Sequence, residues 1–461
     1  MPERLEVAMD RDTRELDGGR LLGGMPRRMM RLSASGRAAL AEIHDGPIVS
    51  TAAGQLARRL TDAGLAHPRP AAPPAADVTV VVPVRDRLEQ LDRCLASLGD
   101  VACVVVDDGS LDPAAIADVV HRHGARAIRR GVAGGPAAAR NAAVSVITTE
   151  LIAFLDSDCI AADGWVERLA GHFADPLVGA VAPRVVPLSR ETSGRYLDRV
   201  GLHDLGDRES RVQPLGRVAF VPTAALVVRR SALEAVASFD PALRYGEDVD
   251  LVWRLDAAGW RVRYDPSVEV THDEPRTWRA RLGRRFHYGS AAAPLSRRHP
   301  DASAHLLVSP APFAAVIGVL MGWRSLVAVG AAATVLNTSR ALQRADVSEL
   351  PTARLGREAL AGTWRGVGRY ATQFGLPLLA VAAWRGRRSV RRTATVVALA
   401  VAPAIADWTE QRPDTSLPRY VAGRIADDAA YGAGVYTGCL KERTVAPLRV
   451  AMSKRTRERN S

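Results

Sequence analysis

Between residues 78 and 180 the chain alternates short β-branched runs with segments whose apolar residues recur at helical spacing. Residues 78–83, 101–106, 125–129 and 151–155 are apolar runs of strand length. Residues 87–98, 112–123, 136–146 and 165–173 separate them as amphipathic segments. Such repetition predicts an α/β fold with a mostly parallel sheet and helices on both faces. Ligands on such sheets collect at the carboxyl ends of the strands. Beyond residue 180 the pattern loosens to a strand candidate at 218–229, a helix opened near Asp248, and a strand at 261–264 that continues to 268–271.

The flanks differ. Residues 1–67 predict a small unit, winged-helix-like and resembling small peptide-binding proteins, with Ser33 or Ser35 capping a helix over 38–43 and a second helix ending at Gly64. Residues 68–76 form a proline-rich linker. A catalytic domain over 77–300 follows, then an apolar helical region over 301–461 that predicts membrane association. Residues 303–323 contain no Asp, Glu, Lys or Arg, and about twenty such residues can cross a bilayer. Pro310 and Pro312 interrupt this stretch. The apolar runs 326–336, 374–384 and 394–406 suit buried or interfacial helices as well as crossings. Arginines at 297–298 and 385–392 would favour the cytoplasmic face of the cell membrane.

At 461 residues the chain exceeds one compact core. Its formal charge of +12 calls for an anionic partner, which a nucleic acid, a membrane surface or a diphosphate would satisfy. Cys94, Cys103, Cys159 and Cys439 form no paired framework and no metal-finger spacing, as expected in a reducing cytoplasm. The first twenty residues are densely charged, so no secretory leader is expected there.

Acidic residues at the predicted strand ends carry the chemistry. Asp156 and Asp158 close the run 151–155; on a continued strand they would share a face and grip a divalent cation together with diphosphate oxygens. A strand-end turn explains the triplet alone. Asp86 follows the proline-stiffened strand end at Pro83, where a nucleoside can pack. Asp107 and Asp108 end the next strand, and one of them, with Asp108 preferred, can accept the uracil imide N–H; an N-cap or turn role explains either as well. The glycine-rich turn 131–135 enters a helix bearing Arg140 and Asn141. Its spacing is neither the dinucleotide fingerprint nor the phosphate loop of nucleotide triphosphatases, but a helix N-terminus suits nucleotide phosphate.

Glu247 and Asp248 stand in the first turn of a helix, where caps are common. Sugar transfer with inversion needs a carboxylate to take the acceptor's hydroxyl proton, and Asp248 is the choice, with Glu247 steering the acceptor. His272, after the strand over 268–271, is a nitrogen ligand for the cation at Asp156 and Asp158, or a backbone-bonded strand-end histidine. Arg284 and Arg285 lie in an arginine-rich stretch that suits either a departing diphosphate or a membrane collar.

The segments 79–86, 105–110, 137–141, 154–158 and 246–250, in that order, resemble inverting family-2 glycosyltransferases with the GT-A fold. That resemblance covers roughly residues 77–290. It implies a UDP-sugar donor, Mg²⁺ or Mn²⁺ at Asp156 and Asp158, uridine contacts from Asp86 and the Asp107–Asp108 pair, and Asp248 as base. The whole layout, with residues 284–289 and the apolar C-terminal region, resembles the glycosyltransferases of mycofactocin systems. This implies a glucose donor and a small peptide-derived redox cofactor as acceptor. A polyprenyl lipid or cell-envelope glycan is the alternative acceptor. A DNA-binding regulator built on the N-terminal unit is the weaker reading, because it leaves the acidic motifs unused. The Gln-x-x-Arg-Trp signature of processive polymer synthases is absent.

Overall fold

The computed structural model describes residues 1, 5–24, 27–71, 77–188, 196–344, 350–386 and 389–452. Part of the linker, 72–76, therefore lies outside the described residues. The chain divides into two compact units, Met1–Glu191 with Val200–Glu274, and Thr192–Arg199 with Pro275–Ser461.

The first unit begins with strands β1 (Glu6–Met9), β2 (Arg14–Leu16), β3 (Arg20–Gly23) and β4 (Arg28–Arg31). Helices α1 (Ala34–Asp45) and α2 (Thr51–Asp62) follow, then β5 (Ala66–Arg69). β1 pairs with β5, and β2, β3 and β4 form a separate three-stranded sheet. Ser33 caps α1 by accepting from the Gly36 N–H, and Ser50 caps α2 through Ala53. Leu40, Ile43, Leu56 and Leu60 pack into one small core. The four N-terminal strands are only three or four residues long and mix apolar with charged residues, too short a pattern to read as strands, which is why the sequence points only to the helices here.

The large sheet uses β6 (Val78–Val84), β7 (Cys103–Asp107), β8 (Arg126–Arg129), β9 (Leu151–Leu155), β10 (Cys159–Ala161), β11 (Val178–Pro187), β12 (Ser210–Val212), β13 (Ala225–Arg229) and β14 (Arg261–His272). The order is β10-β14-β11-β13-β9-β6-β7-β8, with β12 added on β14. β6, β7, β8 and β9 are mutually parallel where they pair, and β11 runs parallel to β14. β13 is antiparallel to both β9 and β11. Helices α3 (Leu88–Ala96), α4 (Pro113–Arg122), α5 (Pro136–Val144), α6 (Trp165–Ala170), α7 (Tyr196–Arg199, in the second unit), α8 (Arg230–Ala235) and α9 (Glu247–Ala257) follow in chain order. Val80, Val82, Val105, Leu155 and Val227 are buried together at the sheet's centre. β14 is one continuous strand, as the run from 261–264 on to 268–271 suggests, with a register shift opposite Pro183 and Arg184.

The second unit holds α10 (Trp278–Ser290), α11 (Ala292–Arg298), β15 (Leu306–Val308), α12 (Pro310–Met321), α13 (Arg324–Arg344), α14 (Thr352–Phe374), α15 (Leu376–Gly386), α16 (Val390–Gln411), α17 (Leu417–Lys441) and β16 (Val450–Met452). The uncharged stretch 303–323 is thus a short strand and a twelve-residue helix, not one span. Pro310 opens α12 at a position where its missing N–H costs nothing. Among the described residues, one helix, α13, is long and apolar enough to cross a membrane.

Candidate active site

Parallel pairing brings the ends of β6 and β7 side by side, Val84 opposite Asp107. Just beyond, Asp86 adopts φ +56°, a left-handed conformation that Asp tolerates better than most residues. Its N–H donates to Ser110 Oγ at 2.9 Å, and its Oδ1 accepts from the Leu111 N–H at 2.6 Å. Asp86 thereby ties the two loops together and stays partly exposed. Asp107 accepts from the Ser110 N–H at 2.8 Å and pairs with Arg129. Asp108 pairs with Arg130 and accepts from the Gly134 and Gly135 N–H groups, the latter at 2.7 Å. Both carboxylates are engaged within the protein, and Asp108 fastens the glycine-rich turn to the β7 end.

β9 stops at Leu155, so Asp156-Ser157-Asp158 is a turn between β9 and β10. Strand alternation does not govern the two carboxylates, and they face different partners. Asp156 Oδ1 accepts from Arg140 Nη2 at 2.7 Å. Asp158 pairs with Arg87, and its Oδ2 lies 3.6 Å from His272 Nε2. The second contact follows from register: β10 and β14 run antiparallel with Cys159 opposite His272. The Asp273 N–H then closes the pairing on the Asp158 carbonyl at 2.8 Å. Glu274 Oε1 lies 3.2 Å from His272 Nδ1, holding the ring so that Nε2 faces Asp158.

Two ligands 3.6 Å apart can bracket a cation held about 2.1 Å from each, and carboxylate oxygens suit Mg²⁺ or Mn²⁺. Among the described residues no three His, Cys, Asp or Glu side chains gather to hold an ion by themselves. The donor set fits an ion that takes its remaining ligands from a substrate phosphate.

Opposite this turn stands the N-terminus of α9. Gly246 caps it at φ +80°, which a side chain would strain, and so aims Glu247 and Asp248 out of the first turn. Glu247 is buried and accepts from Arg140 Nη1 at 3.0 Å. Burial raises the Glu247 carboxyl above its ordinary range even against the Arg140 charge. Burial, then the adjacent Glu247 carboxylate, pushes Asp248 up to about 7. A carboxyl poised there can accept a proton near neutral pH. Asn141 donates to the Phe239 carbonyl at 2.7 Å and accepts the Phe239 N–H at 3.1 Å, so it fixes the segment before α9.

Pro83, Asp86, Asp107, Asp108, Arg140, Asn141, Asp156, Asp158, Glu247, Asp248 and His272 all belong to the first unit, Arg140 and Asn141 midway along α5 and the others at or just beyond the strand ends and helix start named above. Arg284 and Arg285 belong to α10 of the second unit, where the Arg285 guanidinium lies 5.2 Å from the Tyr431 ring centroid. Arg87, Arg129, Arg130 and Glu274 were not among the residues that sequence reasoning singled out. Each lies within two residues of a singled-out residue or at the end of a predicted strand, so adjacency was the available signal.

Residues 79–236 match the family profile "Glycosyl transferase family 2". The chain is also 39% identical to the pre-mycofactocin glycosyltransferase of Mycobacterium tuberculosis (strain H37Rv), with 97% of this chain and 98% of that protein covered. The chain belongs to glycosyltransferase family 2. It is a glycosyltransferase of GT-A fold. A shorter similarity, 46% over 67 residues, links 14% of the chain to 22% of the N-acetylglucosaminyl-diphospho-decaprenol L-rhamnosyltransferase of the same organism. Among solved structures, the mannosyltransferase PcManGT from Pyrobaculum calidifontis, in complex with GDP-Man and Mn²⁺, is 20% identical with a TM-score of 0.40, covering 73% of this chain and 89% of that one.

Proposed function

We propose that this glycosyltransferase moves glucose from UDP-glucose, with inversion, to a hydroxyl of the peptide-derived precursor of mycofactocin, adding one or more units. The observation that carries the acceptor is the span of the pre-mycofactocin match, 97% of the chain. It takes in the N-terminal unit and the helical C-terminal region, which lie outside the family domain at 79–236. Donor chemistry belongs to the shared domain, whereas acceptor choice resides in what is added to it.

Asp248 takes the proton from the acceptor hydroxyl; the oxygen forms the bond to the sugar's anomeric carbon as the bond to the diphosphate breaks, and the electron pair leaves with UDP. Glu247, held by Arg140, steers the acceptor beside this carboxylate. Pro83, Asp86 and the Asp107–Asp108 loop frame the uridine. Asp156, expected as a third ligand, is instead held by Arg140; a divalent cation held by Asp158 and His272, with its remaining ligands from the donor phosphates, would neutralise the departing diphosphate. The enzyme works at the cytoplasmic face of the membrane. Exposed Met321, Trp323, Val329 and Leu336 on and between α12 and α13 support this placement.

The second reading sends the sugar to a polyprenyl lipid or envelope glycan. The local likeness to the decaprenol-linked rhamnosyltransferase and the exposed apolar helices favour it. Labelled UDP-glucose supplied to membranes, followed by solvent extraction, separates the two. Label in the aqueous peptide fraction is expected, and label confined to the lipid phase overturns the mycofactocin acceptor.

A further inference from the structure

Arg140 was singled out in the sequence as a donor contact, yet its guanidinium is 2% exposed and spans two carboxylates of the protein itself. Nη1 donates to Glu247 at 3.0 Å and Nη2 to Asp156 at 2.7 Å. The guanidinium also lies over the Phe239 ring, 5.5 Å from its centroid. Its neighbour Asn141 clamps the backbone of that same Phe239. Two consecutive residues of α5 therefore hold the turn after β9 and the segment leading into α9 in one arrangement. A planar two-pronged cation is what such a bridge requires, because it fixes direction as well as distance.

We infer that Arg140 is a positioning residue that sets the spacing between the Asp156 turn and the Glu247–Asp248 end of α9. It makes no donor contact of its own. This rests on the reading of Asp248 as the group that takes the acceptor proton. Transfer needs the attacking hydroxyl and the departing diphosphate held in line, and an error of about 1 Å in that alignment costs about a hundredfold in rate. A bridge between the two halves of the site acts on the rate of the bound complex and leaves donor affinity alone.

The test compares Arg140→Met, Arg140→Lys and Glu247→Gln in the full-length enzyme, with folding checked by circular dichroism and UDP-glucose affinity measured by calorimetry in the presence of Mn²⁺. Arg140→Met is expected to lower kcat by about a hundredfold or more while donor Kd and KM change by less than about threefold. Arg140→Lys, which keeps the charge but not the fork, should recover part of that loss. Glu247→Gln should lower kcat likewise, and the Met/Gln double variant should be little worse than either single one, since both break the same bridge. A rise in Kd or KM at unchanged kcat returns Arg140 to donor binding and overturns the inference. Full additivity of Arg140→Met and Glu247→Gln also overturns it. If Arg140→Met fails to fold, Arg140→Lys and Glu247→Gln decide between the same outcomes. Asp248→Asn is the control: undiminished transfer by that variant removes the base assignment itself, independently of Arg140.

Discussion

The Asp158 carboxylate and the His272 imidazole, 3.6 Å apart, come from the turn entering β10 and from the end of β14, which pairs with β10 antiparallel. If they hold a cation that also binds the donor's phosphates, His272→Ala weakens UDP-glucose binding in Mn²⁺ by at least about tenfold, or ~1.4 kcal/mol. Chelation should cost the wild type the same increment and the variant almost nothing. Asp156→Ala and Asp158→Ala should abolish transfer. Calorimetric titrations with and without chelator check this, and wild-type affinity that is indifferent to metal defeats the cation reading.

Asp248 makes a prediction about pH. Activity should fall as pH drops through about 7, the value to which burial and Glu247 push this carboxyl, approaching tenfold per unit below it. Asp248→Asn should lower kcat by about 10²–10⁴ and leave donor affinity in place. The stability sign runs the other way. Because the folded-state value lies above the ordinary 3.8, the folded protein holds this proton more tightly than the unfolded chain. The stability it contributes is fully present below 3.8 and is lost as pH rises towards 7. Asp248→Asn should therefore melt higher than wild type at pH 8, with the difference shrinking by pH 5. Parallel melting curves at the two pH values test it.

The βα alternation was legible because the central parallel strands are buried on both faces and read as continuous apolar runs, as at Val80 to Val82 and Leu151 to Leu155. β11 was not, since Gly179, Pro183 and Arg184 interrupt its pattern although Ala180, Val181 and Ala182 are fully buried. β1, β2 and β4 were hidden for the opposite reason: most of their residues are exposed or half-exposed, and pairing rather than burial sustains them, while β3, buried throughout, is only four residues long. Within the site, the strand-end carboxylates announced themselves by residue type. Which arginine meets which carboxylate depends on register and loop path, so the Arg140 bridge and the Arg87 pairing are properties of the tertiary structure.

The N-terminal helix α2 is fastened to the catalytic domain by ion pairs. Arg58 grips Asp175 with two bonds of 2.6 and 2.7 Å, and Arg261 grips Asp62 at 2.8 Å. Asp175 is 6% exposed, so Arg58→Ala leaves a buried carboxylate without its main counter-charge. The cost should be about 3 kcal/mol of stability, read from urea unfolding. Arg58→Lys should regain less than half of it, because one ammonium cannot make both bonds. An unchanged midpoint in Arg58→Ala means that the apolar contacts alone hold this unit in place.

The helical second unit has its own buried ion pair. Arg281 of α10 and Asp427 of α17 are each 1% exposed and joined at 2.7 Å, with a further bond from Arg281 Nε at 3.0 Å. The Tyr196 hydroxyl donates to the same carboxylate at 2.8 Å, and the Tyr196 ring lies against both the Arg281 guanidinium, at 4.8 Å, and the Trp278 ring, at 5.6 Å. The two helices also approach closely: a Cβ at Gly434 would sit 1.9 Å from the Phe286 carbonyl oxygen, so no larger residue fits there. In so tight an interface water cannot enter to solvate a stranded charge. Asp427→Ala should therefore cost about 3–5 kcal/mol, whereas Tyr196→Phe, which leaves the ion pair whole, should cost about 1 kcal/mol. The double variant Arg281→Met/Asp427→Leu should recover most of the loss by replacing both charges with apolar groups. Thermal melts of the four proteins distinguish these cases. If Asp427→Ala melts with the wild type, the pair contributes nothing net and the α10–α17 contact rests on close helix packing.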